Sequence, residues 1–145
     1  MAQLRPIVLE ARTMRTKPTL TIDDANLMLA ASLAAARAVG RNVSIAIVDE
    51  AGGLLAFQRM DGARAHTIDL AQRKARISAL LALPTSLIEA MNRERPPQTP
   101  DMAVGGGGLP AMHFGACAGA LGVSGAKAEE DEAIAHAGLG AIATS

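Results

Sequence analysis

The segment Ser44-Ile-Ala-Ile-Val-Asp-Glu-Ala-Gly-Gly-Leu-Leu-Ala-Phe-Gln-Arg-Met-Asp-Gly-Ala63 decides the fold of this chain. An apolar run is followed by a glycine pair, a second apolar run and a charged cluster that contains Arg59 and Asp61. β-branched residues favour strands, and a glycine pair permits the tight turn of a hairpin. We therefore predict strands over residues 43–49 and 54–60, joined by a turn at residues 51–53.

Helix signals lie on both sides of this hairpin. Thr21 is followed three residues later by Asp24, which is typical of a capping box, and the Ala- and Leu-rich residues 25–39 end at Gly40. After the hairpin, composition and helix-start signals predict helices over residues 67–83, 84–92 and about 127–138. Residues 93–101 contain three prolines and are predicted to form a loop.

A second hairpin is predicted over residues 111–114 and 118–123, around Gly115. Because the strands come as hairpins rather than singly between helices, the pattern indicates an α+β domain on an antiparallel sheet. The length of 145 residues fits one domain. We assign residues 1–18, which end at Pro18, to an N-terminal arm and residues 19–145 to the domain.

Composition argues against several classes of protein. The 14 basic and 14 acidic residues balance, and Phe57 and Phe114 are the only aromatic residues, so nothing indicates nucleic-acid binding. No apolar run reaches the roughly 20 residues of a membrane span, and the first 18 residues lack a signal-peptide pattern. The single Cys117 has no disulfide partner and is interpreted as an unreactive buried thiol. We expect a cytoplasmic protein with no nucleic-acid or membrane partner.

Four consecutive glycines, Gly105, Gly106, Gly107 and Gly108, are the second informative feature. Such a run costs backbone entropy and marks a sharp turn or a close approach of the main chain. No Lys-Ser/Thr pair follows it, and it does not join a first strand to a helix, so it matches neither phosphate- nor dinucleotide-binding fingerprints. Two interpretations remain: tight packing alone, or main-chain N–H groups that line a pocket for an anion or a carboxylate.

Arg59 and Asp61 are two residues apart, so a continued strand would point both side chains to one side. They form either a surface ion pair or a site in which Arg59 binds a ligand carboxylate and Asp61 orients it or accepts a proton. His66 begins the next helix, either as a simple helix-start residue or as a general acid or base or an axial ligand of haem iron. Lys74, with its basic neighbours, is interpreted as part of a solvated face.

The remaining candidates are weaker. His113 lines a pocket or packs in the core, and Met60 flanks the proposed pocket although methionine more often fills core gaps. The three histidines, His66, His113 and His136, have no metal-ligand spacing, so we predict no metal site formed by protein side chains alone.

Five motifs in order resemble the GlcG/HbpS family. They are residues 48–63, Ile68-Asp-Leu-Ala-x-x-Lys74-Ala, Gly106-Gly-Gly-Leu-Pro110, Gly119-Ala-Leu-Gly-Val-Ser-Gly125 and Glu130-Asp-Glu-Ala133, and the resemblance covers roughly residues 19–143. It implies a profilin- or PAS-like sheet of about five antiparallel strands flanked by helices, usually assembled as a homo-oligomer. It also implies either binding of haem or related tetrapyrroles or, in one branch, a cofactor-free lyase that acts on hydroxylaminoaryl acids.

Three hypotheses of function follow. The first is a small-ligand-binding protein for haem or a related tetrapyrrole, with His66 or His113 as the axial ligand. The second is a cofactor-independent lyase or hydrolytic enzyme for a small carboxylated aromatic substrate, similar to a hydroxylaminobenzoate lyase, in which Arg59 binds the carboxylate and the glycine loop supplies donors. In that enzyme, His66 with Asp61 or Glu50 would move protons. The third is an accessory oligomer of a catabolic operon without chemistry of its own. All three are compatible with a homo-oligomer, which the apolar composition also favours.

Overall fold

The computed structural model describes residues 3–7 and 13–142. Its elements follow in the order α1 (Ile22–Ala38), β1 (Ser44–Asp49), β2 (Leu54–Arg59), α2 (His66–Leu81), α3 (Thr85–Glu94), a short 3-10 helix (Pro100–Met102), β3 (Gly108–His113), β4 (Ala116–Ser124) and α4 (Ala128–Leu139). The short 3-10 helix lies at the end of the proline-rich stretch that the sequence predicted to be a loop. Of the predicted arm, residues 1–2 and 8–12 lie outside the described residues.

The strands form one antiparallel sheet in the order β2-β1-β4-β3. This confirms the predicted single α+β domain, but the sheet of the described residues has four strands rather than about five. Each hairpin supplies two strands. Residues 13–21, which precede α1, form no strand, and Leu20 among them donates a backbone hydrogen bond from its N–H to the carbonyl of Ala118 in the sheet.

Local signals in the sequence account for the element ends. Thr21 and Asp24 form the predicted capping box, and Gly40 follows α1 with a φ of +67°. The second hairpin begins earlier than predicted, because Gly108 already pairs with Gly122 of β4. Its turn carries positive φ values at Phe114 and the following glycine.

Helices cover both faces of the sheet, and β1 supplies side chains to each face in alternation. Ile45 and Ile47 join the core that α1 and α4 form, whereas Ala46 and Val48 pack in an alanine-rich cluster with α2. Helix α2 lies unusually close to the sheet: a Cβ added to Gly122 would be 2.2 Å from the carbonyl oxygen of Ala71, residue 71 being in α2.

Candidate functional site

Lys74 is buried, with 6% of its surface exposed. Its ammonium donates hydrogen bonds to the carbonyl of Val123 at 2.9 Å and to Asp131 Oδ2 at 3.2 Å. The interpretation of Lys74 as part of a solvated face is therefore wrong. Arg73 and Arg76 do form ion pairs on the outer side of α2, whereas position 74 faces β4, because it lies on the same helical stripe as the buried alanines at 71 and 75.

Asp131, in the first turns of α4, completes a buried ion pair. One carboxylate oxygen accepts from Lys74, and the other accepts from the N–H of Ala126 at 2.9 Å. Burial raises the pKa of Asp131, and the charge of Lys74 and the hydrogen bond from Ala126 oppose this effect. Removing either partner would leave a buried charge without compensation, so the pair should be treated as one unit.

The ion pair lies on the wall of a pocket of about 620 Å³, which we call the Lys74 pocket. Arg41, Arg64 and His66 also line it, and all three are exposed to solvent. Arg41 binds Glu130 at 2.8 Å, while the described residues place no acid within ion-pair distance of Arg64 or His66. Asp131 is the only acidic residue that the described part of the chain places in the lining, against three cationic side chains, Lys74, Arg41 and Arg64.

The glycine loop borders the Lys74 pocket through Gly105. Side chains of helix α3 accept hydrogen bonds from two of the loop's N–H groups. Gly106 donates to Glu89 at 3.1 Å, and Gly108 donates to Thr85 at 2.8 Å. Gly107 has a φ of +127°, and a Cβ there would lie 2.5 Å from the carbonyl oxygen of Val123. Packing therefore accounts for Gly107 and Gly108, and a donor role toward a ligand stays a prediction for Gly105.

Other predicted site residues lie elsewhere. Arg59, Met60 and Asp61 line a separate pocket of about 470 Å³, the Arg59 pocket, which shares only Asn42 with the Lys74 pocket. Within the described part of the chain, Arg59 and Asp61 form no ion pair, so the simple surface-pair interpretation does not describe them. Arg37 of α1 joins Arg59 in this lining.

His113 lines a third pocket of about 320 Å³, and its ring makes an edge contact with Phe114 at a centroid distance of 4.5 Å. Glu50 accepts a hydrogen bond from the hydroxyl of Thr19 and lines none of the pockets described above. Of the residues predicted from the sequence, the structure therefore brings His66 and Gly105 together in one pocket.

Sequence reasoning missed Lys74 and Asp131 as functional candidates. The available signal was the spacing of Ala71, Lys74 and Ala75 with Ser78, which places the lysine on the buried stripe of an amphipathic helix. Asp131 gave no comparable signal, because acidic residues in the first turn of a helix are common and usually exposed.

Two further predictions concern reactivity. Within residues 3–7 and 13–142, no group of three or more His, Cys, Asp and Glu side chains is placed to hold a metal ion. Burial raises the pKa of the Cys117 thiol, whose Sγ donates to the carbonyl of Gly119 at 3.2 Å. A raised pKa keeps the thiol protonated near neutral pH, which supports an unreactive cysteine, although Cys117 is partly exposed rather than buried as predicted.

Comparison with known proteins identifies the family of this chain. The family described as "Haem degrading protein HbpS-like" matches residues 20–140. The chain belongs to this HbpS-like family. The resemblance noted in the sequence is thereby confirmed, and protein GlcG of Escherichia coli K12 is 35% identical over 114 residues, which are 77% of this chain and 85% of GlcG.

Solved structures share the fold of this chain. A double mutant of Streptomyces reticuli HbpS matches with a TM-score of 0.89 and 30% identity, covering 98% of this chain and 99% of that one. A structure described as the PduOC:heme complex matches with a TM-score of 0.82 and 24% identity, covering 88% and 97% of the two chains, a likeness that shows the fold alone. Among the described residues, no helix of this chain is long and apolar enough to cross a membrane.

Proposed function

We propose that this HbpS-like protein binds a small anionic ligand in the Lys74 pocket, and that the ligand is haem or a related carboxylated tetrapyrrole. The observation that carries the proposal is the lining of that pocket, where the cationic side chains of Lys74, Arg41 and Arg64 outnumber the acidic residue that the described lining contains, Asp131. Positive side chains favour an anion by Coulomb attraction, and arginine pairs well with carboxylates. Membership of the family described as haem-degrading supports the choice of ligand.

The residues that line the Lys74 pocket are chemically suited to haem or a related tetrapyrrole. The exposed imidazole of His66 offers a nitrogen ligand for iron, and Arg41 and Arg64 offer partners for the carboxylates at the edge of the ring system. Leu70 and Val104 add apolar surface to the lining. Bound haem would supply an iron centre for redox or ligand-binding chemistry, while the protein side chains would hold and orient it.

A haem titration followed at the Soret band tests this proposal. We expect the wild-type protein to give a saturable shift of the band, and His66→Ala to change its position and weaken binding about tenfold or more. His113→Ala and His136→Ala serve as matched controls, because neither residue lines the Lys74 pocket. A wild-type protein without a saturable shift, or loss of binding only in His113→Ala, would contradict the proposal.

A second candidate function is a cofactor-independent lyase for a small carboxylated aromatic substrate of the hydroxylaminobenzoate type. The observation that favours it is the buried carboxyl of Asp131, which lines the pocket beside Lys74. Burial raises its pKa, and a titratable group with a shifted pKa in a pocket is a candidate for proton transfer. In this candidate, His66 and Asp131 would move protons. Arg59, Asp61 and Glu50 would need to act from outside the Lys74 pocket.

Turnover distinguishes the two candidates. Protein freed of metal and haem is incubated with 4-hydroxylaminobenzoate, and the loss of substrate is followed by chromatography. The enzyme hypothesis expects a loss that is proportional to protein concentration and that falls in His66→Ala. If the substrate is not consumed but haem binds saturably, the enzyme hypothesis is wrong and the ligand-binding function is supported.

A further inference from the structure

We propose that the ammonium of Lys74 is the inner recognition point for a carboxylate of the bound ligand. This inference rests on the proposed function in one respect, because it uses the same pocket. It adds the chemical group that the pocket selects and the side chain that selects it.

The ammonium of Lys74 has more hydrogen-bond donors than the described residues have acceptors for. A lysine ammonium has three N–H donors. The carbonyl of Val123 and the carboxylate of Asp131 accept two of them, and the described residues supply no third acceptor. The residue is 94% buried yet lines the Lys74 pocket, so the third donor can be satisfied from the pocket side. A charged donor that gains an anionic oxygen forms one of the stronger hydrogen bonds in proteins.

The glycine loop packs closely against this ammonium. A Cβ added to Gly107 would lie 3.0 Å from Lys74 Nζ, closer than ordinary van der Waals contact. Any side chain there would crowd the ammonium or displace it from Asp131. Glycine at this position therefore preserves the ion pair, and with it the position of the Lys74 ammonium.

The charges around the pocket favour a carboxylate over a neutral group. Lys74 and Asp131 neutralise each other, and so do Arg41 and Glu130, which leaves Arg64 without an acidic partner among the described residues. An anionic ligand would supply a negatively charged partner for Arg64. One free donor at Lys74 matches one carboxylate oxygen, whereas phosphate presents at least three oxygens that need several donors.

Side-chain NMR tests the proposal directly, because the chain has three lysines, Lys17, Lys74 and Lys127. Protein labelled with ¹⁵N at lysine Nζ is titrated with benzoate, with its neutral isostere benzamide, and with inorganic phosphate. We expect benzoate to shift the Lys74 signal saturably, and benzamide and phosphate to leave it in place. Lys17 and Lys127 are exposed and serve as internal controls. A Lys74 signal that does not move at the highest benzoate concentration overturns the proposal, and a stronger shift with phosphate overturns the choice of a carboxylate.

Variants provide a second readout. Lys74→Met alone would leave Asp131 buried and unpaired, so the double variant Lys74→Met/Asp131→Asn removes both charges together. With the fold verified by circular dichroism, we expect benzoate affinity to fall about 10- to 100-fold, the range that a lost charged hydrogen bond implies. Lys127→Met should leave the affinity unchanged, because Lys127 does not line the Lys74 pocket. Wild-type benzoate affinity in the folded double variant overturns the proposal.

The two proposals fail in different ways. If haem does not bind but benzoate shifts Lys74, the choice of haem is wrong and the carboxylate site stands. If haem binds through His66 with wild-type affinity in the double variant, the proposed function stands and the role of Lys74 does not.

Discussion

The N–H of Gly108 donates a 2.8 Å hydrogen bond to the hydroxyl of Thr85, which is buried at the start of α3. One helical turn later, Glu89 accepts from the N–H of Gly106 at 3.1 Å. Helix α3 thus fixes the glycine loop through two side chains on one face. Because Gly105 borders the Lys74 pocket, this contact also fixes one wall of the candidate site.

The first prediction concerns this contact. Thr85→Val keeps the shape of the side chain but leaves the buried N–H of Gly108 without an acceptor. We expect the free energy of unfolding to fall by about 1–3 kcal/mol, measured by urea denaturation. Thr85→Ser retains the hydroxyl and is the control, which should lose less. A larger loss in Thr85→Ser than in Thr85→Val would show that packing of the methyl group, rather than the hydrogen bond, matters here.

The second prediction concerns two neighbouring acids whose pKa values move in opposite directions. Burial raises the pKa of Asp131 above its ordinary value of 3.8, and the hydrogen bond from Arg41 lowers the pKa of Glu130 below 4.5. The contribution of Asp131 to the free energy of unfolding is therefore greatest below pH 3.8 and is lost as the pH rises through the folded-state pKa. The contribution of Glu130 is present above pH 4.5 and is lost as the pH falls through its lowered pKa.

Urea denaturation of Asp131→Asn and Glu130→Gln across the acidic range measures these contributions. The stability difference between wild type and Asp131→Asn should decrease as the pH rises, and the difference for Glu130→Gln should increase. Parallel pH profiles for the two variants would contradict the prediction.

The third prediction separates the structural glycines from the one that borders the pocket. A Cβ added to Gly105 would meet only Glu89, at 3.8 Å, whereas Gly107 has a left-handed backbone and a Cβ there would lie 2.5 Å from a carbonyl oxygen. We expect Gly107→Val to lower the melting temperature strongly. Gly105→Val should fold normally but bind haem or benzoate more weakly, because its side chain can occupy the pocket. Normal stability in Gly107→Val would show that the loop adapts more easily than its packing indicates.

The fourth prediction compares two exposed arginines in different pockets. Arg64 lines the Lys74 pocket and Arg59 lines the Arg59 pocket. We expect Arg64→Ala to weaken binding of an anionic ligand in calorimetry. Arg59→Ala should change stability by less than about 1 kcal/mol, as is usual for exposed side chains. If Arg59→Ala weakens binding as much as Arg64→Ala, the ligand also uses the Arg59 pocket, as the sequence first suggested.

The fifth prediction concerns the arm and the assembly. Leu4 and Ile7 of the arm are 98% and 90% exposed, and contact with the sheet is seen at Leu20. Deletion of residues 1–17 should therefore leave the circular dichroism spectrum unchanged. We expect a homo-oligomer by light scattering, and a looser one after the deletion. A full-length monomer at micromolar concentration, or an unfolded truncated protein, would contradict this prediction.

The sequence by itself determined the elements and the class of fold. The capping residues Thr21 and Asp24, the glycine after α1 and the alternating apolar residues of β1 are local signals, and each acts through the backbone within a few residues. The family also followed from the sequence, because its motifs are contiguous runs. The strand count was overestimated, since the family resemblance rather than the pattern of this chain supplied the fifth strand.

Only the tertiary structure decided which residues share a pocket. Lys74 and Asp131 are 57 residues apart, and they meet because Gly122 allows α2 to lie against β4 while α4 covers the end of the same strand. Arg59 and His66 are seven residues apart, yet the turn between β2 and α2 directs them into different pockets. Sequence distance does not determine spatial distance where helices pack on a sheet, because the partners of each side chain are set by the layers above and below it.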